Sequence, residues 1–300
     1  MFKNNLKKLS VVAFSIVALT FVGCSANNSD KETKKADKTY GEQMDYTITG
    51  IDAGSGVVQA AEKAMEDYDT KFNIQTSSGA AMTQALADAY KNEEPIIITG
   101  WSPHWMFSKY DLKYLDDPKG SFGGAEHIST VVRKGLKEDM PDAYKILDQF
   151  SWTSDDMEAV MLKINEGGDI KEVAAQWIAD NKDKVSKWTE GTEKVDGKEI
   201  ELAYVAWDTE IASTNVIGLA LKDMGYKVKL TQVSAGPMFE AVASGDVDGI
   251  VAAWLPGTHA KYMEDYKGKV EDLGANLEGA KIGLVVPSYM DINSIEDLTK

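Results

Sequence analysis

The sequence predicts an α/β fold made of two similar lobes, and three observations support this prediction. From residue 46 onward, short apolar segments typical of strands alternate with segments of helical periodicity. Two distant stretches, residues 48–105 and 202–259, follow the same order of strand, loop, helix, helix and strand, and both reach a Trp-x-Pro sequence near their end. A chain of 300 residues with 43% hydrophobic residues is also long enough for about two ordinary domains.

The predicted strands are short apolar runs, of which Ile96-Ile97-Ile98 is typical of a buried parallel strand. These strands cover residues 46–51, 95–99, 200–205, 228–233, 249–253 and 282–286. The predicted helices cover residues 57–68, 80–90, 157–164, 173–181, 184–188, 211–224 and 238–243. The alternation favours parallel sheets covered by helices.

Three tryptophans are expected to meet at the carboxyl ends of strands. Trp101 and Trp254 each end an apolar strand and are followed by Pro103 and Pro256, and Trp207 follows the strand at 200–205 in the same way. Ligands of open α/β sheets bind beyond these strand ends. Two facing lobes would therefore bring the three indoles to a common cleft, although rings that only plug a sheet edge are the alternative.

Charge and cysteine content exclude several classes of function. The net charge of −16, from 48 acidic and 32 basic residues, argues against a nucleic-acid partner. Cys24 is the only cysteine, which excludes an internal disulfide framework and a cysteine metal cluster. No metal site, cofactor or catalytic residue is expected.

The N-terminus has the pattern of an exported lipoprotein. A lysine-rich start precedes a mostly apolar segment at residues 9–22, and Gly23 stands directly before Cys24. Residues 1–23 are therefore predicted to be a signal peptide, with Cys24 as the lipid-modified residue; an ordinary cleaved signal with an incidental cysteine is the alternative. Residues 24–45 are polar and are expected to form a flexible tether.

Clustered indoles suit a ligand that carries a fixed positive charge. A quaternary ammonium has no proton to donate, and a protein binds it by facing aromatic rings toward it, with tryptophan the strongest partner at about 2 kcal/mol or more when desolvated. Three rings would supply a large part of the roughly 8 kcal/mol that micromolar binding requires. The glycine-rich start of the helix near Val57 could hold an anionic group, and His259 could donate to it from its ring.

Four motifs together resemble a known family. They are Gly50-Ile51-Asp52-x-Gly54-Ser55-Gly56, Ile98-Thr99-Gly100-Trp101-x-Pro103-His104-Trp105, Ala203-Tyr204-Val205-Ala206-Trp207-Asp208 and Ala253-Trp254-Leu255-Pro256-x-Thr258-His259. The chain resembles the glycine betaine-binding lipoproteins of ABC importers, of the OpuAC type, over essentially its whole length.

The resemblance implies a two-lobed fold of the periplasmic-binding-protein type (type II) with permuted lobe order. The first lobe would comprise residues 46–122 and 285–300, and the second residues 123–284. The ligand-binding residues that the resemblance implies are Trp101, Trp207 and Trp254 around the trimethylammonium group, the backbone amides of Gly56 and Val57, and the side chain of His259 at the carboxylate.

The expected function is capture of glycine betaine outside the cytoplasm for an osmoprotectant ABC importer. The expected partners are a permease with a separate ATPase and the membrane, through lipid at Cys24; the receptor itself is expected to be monomeric. Proline betaine and sulfonium analogues are further candidate ligands. A choline or carnitine receptor is the alternative within this class, and a secreted enzyme acting on a choline-like substrate is the alternative outside it. Asp208 and Glu210, which flank Trp207, are expected to play a solvated or hydrogen-bonding role.

Overall fold

The computed structural model describes residues 38–299, which fold into α/β layers around a mixed nine-stranded sheet. The strands are β1 Thr47–Thr49, β2 Asn73–Gln75, β3 Ile98–Ser102, β4 Leu112–Tyr114, β5 Glu126–Arg133, β6 Glu199–Tyr204, β7 Lys227–Gln232, β8 Gly249–Leu255 and β9 Val270–Pro287. The α/β prediction is thereby confirmed.

Helices flank the sheet, and most of them bury an apolar face. In α2, for example, Val58, Ala61 and Met65 form the buried stripe that the periodicity predicts. The helices are α1 Tyr40–Gln43, α2 Gly56–Asp67, α3 Gly79–Lys91, α4 Met106–Lys109, α5 Leu136–Asp139, α6 Pro141–Gln149, α7 Ser154–Asn165, α8 Ile170–Asp180, α9 Lys182–Trp188, α10 Asp208–Asp223, α11 Ala235–Ser244 and α12 Ala260–Asp265. A 3-10 turn, Ile295–Thr299, follows β9.

The sheet has two parts that share one long strand. The first half-sheet consists of β1–β4 and residues 281–287 of β9, and the second consists of β5–β8 and residues 270–280 of β9. Strand β9 passes from one to the other between Ala280, which pairs with Glu126, and Lys281, which pairs with Ser102. This arrangement agrees with a two-lobed molecule.

Strand direction differs from the expectation of purely parallel sheets. The pairs β1–β2, β1–β3, β6–β7 and β6–β8 are parallel, whereas β5 and β9 run antiparallel to every partner they have in the sheet. Only residues 282–286 of β9 are predicted as a strand from the sequence, and no strand is predicted at β5. Strand β9 joins the two half-sheets, and β5 pairs only with β8 and β9. Neither strand is a member of a βαβ repeat, so the alternation of strands and helices does not predict them.

Helical structure begins inside the segment predicted as a flexible tether, residues 24–45. Helix α1 starts after Thr39, whose hydroxyl accepts from the Glu42 N–H while the Glu42 carboxylate accepts from the Thr39 N–H. Tyr40 and Met44 pack against the core. The prediction of a tether up to residue 45 is therefore too long, because a capping box and two apolar side chains anchor this helix. Cys24 and the predicted signal peptide lie outside the described residues.

Four tryptophans outside the predicted cage are packing residues. Trp152 meets Trp177 edge-on with ring centroids 5.7 Å apart, and Trp177 stacks on Trp188 at 5.8 Å. Trp105 is buried beside His104.

Within residues 38–299, none of the helices has the length and apolar character needed to cross a bilayer.

Candidate functional site

A small, nearly filled apolar cavity lies between the two half-sheets. Its walls come from β3 and β9 of the first half-sheet, from β8 of the second, and from the first residues of α2 and α10. The lining residues are Ile51, Ser55, Gly56, Val57, Trp101, Trp207, Thr209, Trp254, Thr258 and Ile282. Segments far apart in sequence thus converge on one space at the meeting of the two half-sheets.

The three predicted cage tryptophans all line this cavity. Trp101 is the fourth residue of the five-residue strand β3, and Trp254 is the sixth of the seven in β8. Trp207 is the N-cap residue of α10. Their exposed fractions are 4%, 3% and 7%, respectively. The strand-end reasoning therefore predicted correctly that the three indoles meet, and the sheet-edge alternative does not account for a cavity between them.

Two of the three indoles are held by carboxylates. The Trp207 Nε1–H donates to Asp52 Oδ2 at 2.9 Å, and the Trp254 Nε1–H donates to Glu210 Oε1 at 3.0 Å. The Trp101 Nε1–H is buried and has no hydrogen-bond acceptor among residues 38–299. Each of these two bonds fixes the orientation of an indole that lines the cavity.

The amino end of α2 supplies hydrogen-bond donors at another part of the cavity wall. Gly56 and Val57 are the first two residues of this 12-residue helix, and the Gln59 N–H is the first to bond back, to the Ser55 carbonyl. First-turn amides of a helix have no intrahelical acceptor and favour an anion. The first turn of α2 contains no acidic residue that could serve as that anion.

Ser55 adds a donor that the sequence analysis did not identify. This N-cap residue makes no capping bond, unlike Ser78 in front of α3, whose hydroxyl accepts from the Ala81 N–H. Ser55 is only 4% exposed and lines the cavity, and its buried hydroxyl finds no partner within the described part of the chain. Its place on the cavity wall leaves this unpaired hydroxyl free to bond to a ligand group.

His259 packs against the cavity wall rather than forming part of its lining. The ring stacks on Trp207 with centroids 6.4 Å apart, and Nδ1 accepts from the Trp254 N–H at 2.9 Å. Burial lowers the pKa of His259 to about 3, so the ring is neutral at physiological pH and carries its proton on Nε2. That Nε2–H is buried and unpaired in residues 38–299.

Glu126 fixes the loop that follows β8. Its carboxylate accepts from the Gly257 N–H at 3.0 Å, the Thr258 N–H at 2.5 Å and the Thr258 hydroxyl at 2.7 Å. The fixed Thr258 lies directly against Gly56, where a Cβ would stand only 2.4 Å from Thr258 Cγ2. The α2 amino end and this loop therefore approach each other closely, and glycine at position 56 is needed for that approach.

A second contact between the half-sheets involves His104. Its Nδ1 accepts from the Met106 N–H at 3.2 Å, and its Nε2 donates to Asp208 Oδ2 at 3.3 Å. Burial alone would raise the pKa of Asp208, but the bond from His104 lowers it overall. The loop after β3 is thus joined to the start of α10, next to Trp207, and the cavity is closed on this side.

The structure therefore brings together most of the predicted site. Gly56, Val57 and the three tryptophans line one cavity, and His259 lies against its wall. Sequence reasoning missed Ser55, Thr209, Thr258 and Glu126; Ser55 stood inside a quoted motif, but only its glycines were interpreted. Within the described residues, no group of three His, Cys, Asp or Glu side chains is placed to hold a metal ion.

Comparison with known proteins gives a consistent result. The sequence matches the family described as the substrate binding domain of the ABC-type glycine betaine transport system, over residues 28–180 and 198–300. It is 56% identical over 298 residues to the glycine betaine/carnitine transport binding protein GbuC of Listeria monocytogenes, an alignment that covers 98% of both chains.

Solved structures with similar chains include two liganded binding proteins. Lactococcal OpuAC, in its closed conformation with glycine betaine, is 54% identical with a TM-score of 0.48, covering 49% of this chain and 59% of that one. An ABC-transporter choline binding protein in complex with choline is 27% identical with a TM-score of 0.45, covering 51% of this chain and 55% of that one.

Proposed function

Because the chain belongs to the family of substrate-binding domains of ABC-type glycine betaine transport systems, we propose that it captures glycine betaine in the tryptophan-lined cavity. The observation that carries this proposal is that the cavity has an aromatic wall and a wall of hydrogen-bond donors. Three indoles form one wall, and the unpaired donors at the start of α2 form the other.

Glycine betaine fits these walls because it is a small zwitterion. Its trimethylammonium group has no proton to donate and gains most from aromatic faces, which Trp101, Trp207 and Trp254 supply. Its carboxylate needs hydrogen-bond donors, and the amides of Gly56 and Val57 are free to provide them. We assign the Ser55 hydroxyl and the His259 Nε2–H to the same carboxylate, since each is a buried donor without a partner in residues 38–299.

Other ligands of the same class use this cavity less completely. Choline has no carboxylate and would leave the donors of α2 unpaired in a buried site, which is costly. Carnitine carries both charges, and the similarity to a glycine betaine/carnitine binding protein makes it the second ligand to test. The family is one of transport proteins rather than enzymes, so a reaction on a choline-like substrate has the weaker support.

Titration of the full chain with a panel of ligands tests this function. Because the three cage tryptophans are buried around the cavity, glycine betaine should change tryptophan fluorescence saturably, with proline betaine, carnitine and choline compared under the same conditions. Absence of glycine betaine binding would contradict the proposal. Conversion of betaine or choline to a product on prolonged incubation would instead support the enzyme alternative.

Replacing His259 should separate ligands with and without a carboxylate. We expect His259→Ala to reduce glycine betaine affinity about tenfold, the scale of one hydrogen bond to a charged group. Choline affinity should fall much less, because choline has nothing to accept the Nε2–H. Calorimetry with both ligands gives the ratio of affinities, and equal losses would argue against a carboxylate role for His259.

Replacing Ser55 tests the added donor in the same way. We expect Ser55→Ala to weaken glycine betaine binding roughly three- to tenfold, because one hydrogen bond to the carboxylate is lost. Ser129→Ala is a matched control: its hydroxyl is also buried and lacks a partner in the described residues, but it lies on β5 and does not line the cavity. Calorimetry that finds Ser55→Ala and Ser129→Ala equally harmless would remove Ser55 from the site.

The cellular setting proposed here follows from family membership and the N-terminal pattern. The binding protein delivers its ligand to an ABC permease energised by a separate ATPase, at the outer face of the cell membrane. Lipid on Cys24 is proposed as its anchor. Labelling with a radioactive fatty acid, lost in Cys24→Ala, tests the anchor.

We also propose that the two half-sheets are the two lobes, with β9 crossing between Ala280 and Lys281.

A further inference from the structure

Glu210 is a fully buried carboxylate directly behind the cage. Its exposed fraction is 0%, and it lies in the first turn of α10. Its Oε1 accepts from the Trp254 Nε1–H at 3.0 Å, and its Oε2 accepts from the Thr209 hydroxyl at 2.6 Å. Both donors line the cavity. The carboxylate is therefore one hydrogen bond away from the ligand space on two sides.

Both hydrogen-bond donors of Glu210 are neutral groups. The indole and the hydroxyl satisfy its oxygens, but neither supplies a positive charge to compensate an ionised carboxylate. A buried charge without a counter-charge is unfavourable, and the group then tends to stay protonated. A cation held against the face of Trp254 would supply the missing charge.

The charged and titratable neighbours of Glu210 do not supply a compensating positive charge either. On its own helix, Asp208 is negative and raises the pKa of Glu210 further. His104, in the loop after β3, is bonded to Asp208, and His259 presents a neutral ring to the backbone of Trp254. Glu158 of α7 is another acid and bonds to Ser108.

The strands and the remaining helices packed on α10 also place no cation against Glu210. Strand β8, which carries Trp254, contains only apolar residues. Glu201 of β6 and Lys229 of β7 pair with each other at 2.8 Å. The acidic and basic residues of α6 and α8 are all at least partly exposed.

We propose that Glu210 is a positioning residue whose ionised form favours the bound quaternary ammonium, so that ligand capture and loss of its proton are coupled. The inference rests on the proposed function, since it requires a cation in the cage. Ionised Glu210 would act in two ways. It orients Trp254 and, through the N–H···O⁻ bond, increases the electron density on the ring face, and it places a negative charge near the cation in a site of low dielectric.

The direction of the pH effect follows from this coupling. Burial raises the pKa of Glu210 to about 7, so near pH 6 the empty protein holds this carboxyl mainly protonated and near pH 8 mainly ionised. If only the ionised form binds well, the apparent affinity follows its fraction and rises about tenfold between these two pH values. His259, with a pKa of about 3, and the ligand carboxylate do not titrate in this range.

Calorimetry of glycine betaine binding to the full chain tests the coupling without any variant. Near pH 6.5, we expect binding to release protons, detected as a heat of binding that changes with the ionisation enthalpy of the buffer. The affinity should rise from pH 6 to pH 8. Binding with neither proton release nor a change in affinity would overturn the inference about Glu210 and leave the proposed function intact, whereas no binding at any pH would overturn the function itself.

Two variants separate the charge from the shape of the side chain. Glu210→Gln keeps one oxygen that can accept from the Trp254 Nε1–H and gains an amide N–H that can donate to the Thr209 hydroxyl, but it cannot ionise. We therefore expect weaker binding at pH 8 that no longer depends on pH. Glu201→Gln, at the partly buried acid of β6, should retain the wild-type pH profile. A Glu210→Gln protein that binds as tightly as wild type at pH 8, or that keeps the same pH profile, would contradict the proposal.

Discussion

Trp254→Ala is expected to weaken glycine betaine binding at least tenfold, about 1.4 kcal/mol. The variant removes one of the three aromatic faces that line the cavity, and a desolvated cation–π contact is worth about 2 kcal/mol or more. It also removes the Nε1–H that Glu210 Oε1 accepts at 3.0 Å, so a fully buried carboxyl group loses a donor. Both losses weaken the site for a cation, and calorimetry measures their sum.

A second substitution at the same position separates these two losses. Trp254→Phe keeps an aromatic face and loses the N–H donor, so its affinity should lie between wild type and Trp254→Ala. Truncation of a buried tryptophan also destabilises the fold, by about 3–5 kcal/mol, so circular dichroism must show that each variant is folded at the temperature of the titration. A folded Trp254→Ala protein with wild-type affinity would show that this ring takes no part in binding.

The predicted helices and strands match the structure where a local sequence pattern is enough to define them. The strand predicted at residues 249–253 begins β8 at Gly249, and the periodicity around Val58 and Met65 gives α2 within one residue at each end. The strand predicted at residues 95–99 begins three residues later than expected, at Ile98. Most of strand β9 was the main omission, because it carries no simple alternation and its partners belong to both half-sheets. Its pairing depends on contacts across more than a hundred residues, which local patterns do not contain.

In the site, too, residues marked by a local sequence pattern were predicted, and residues that act through distant contacts were not. Trp101 and Trp254 were recognisable because both sit at the carboxyl end of an apolar strand, where α/β proteins bind ligands. Glu126 was not, because it fixes Thr258 from 132 positions away and has no sequence motif of its own. The environment of Glu210 could not be predicted either: its sequence neighbours indicate an exposed helix start, and only the packed structure shows that it is fully buried.

The close contact at Gly56 leads to the prediction with the largest expected effect. A Cβ at this position would lie 2.4 Å from Thr258 Cγ2 and 2.8 Å from the Thr258 carbonyl oxygen, both far inside normal contact distance. A different Thr258 rotamer could relieve the first overlap but not the second, which involves the backbone. The loop itself cannot easily retreat, because the Glu126 carboxylate accepts three hydrogen bonds from Gly257 and Thr258.

We therefore expect Gly56→Ala to lower glycine betaine affinity at least a hundredfold, about 2.8 kcal/mol, while the protein remains folded. The overlap arises only where the start of α2, in the first half of the structure, meets the loop after β8 in the second. Each half can keep its own core if the two stay further apart. In that more open arrangement, the Gly56 and Val57 amides no longer face the indole of Trp254 across a closed cavity, so the ligand cannot contact both walls at once.

Gly79→Ala is the matched control for this experiment. Gly79 also opens a helix of the first half, but a Cβ there would meet only Trp207 Cδ1 at 3.9 Å, an ordinary contact. Its affinity should stay within about twofold of wild type, since alanine in a helix costs nothing and gains up to about 1 kcal/mol over glycine. Calorimetry on both proteins, with circular dichroism to verify folding, decides the outcome. If Gly56→Ala binds as well as Gly79→Ala, ligand capture does not depend on the close approach of α2 to Thr258.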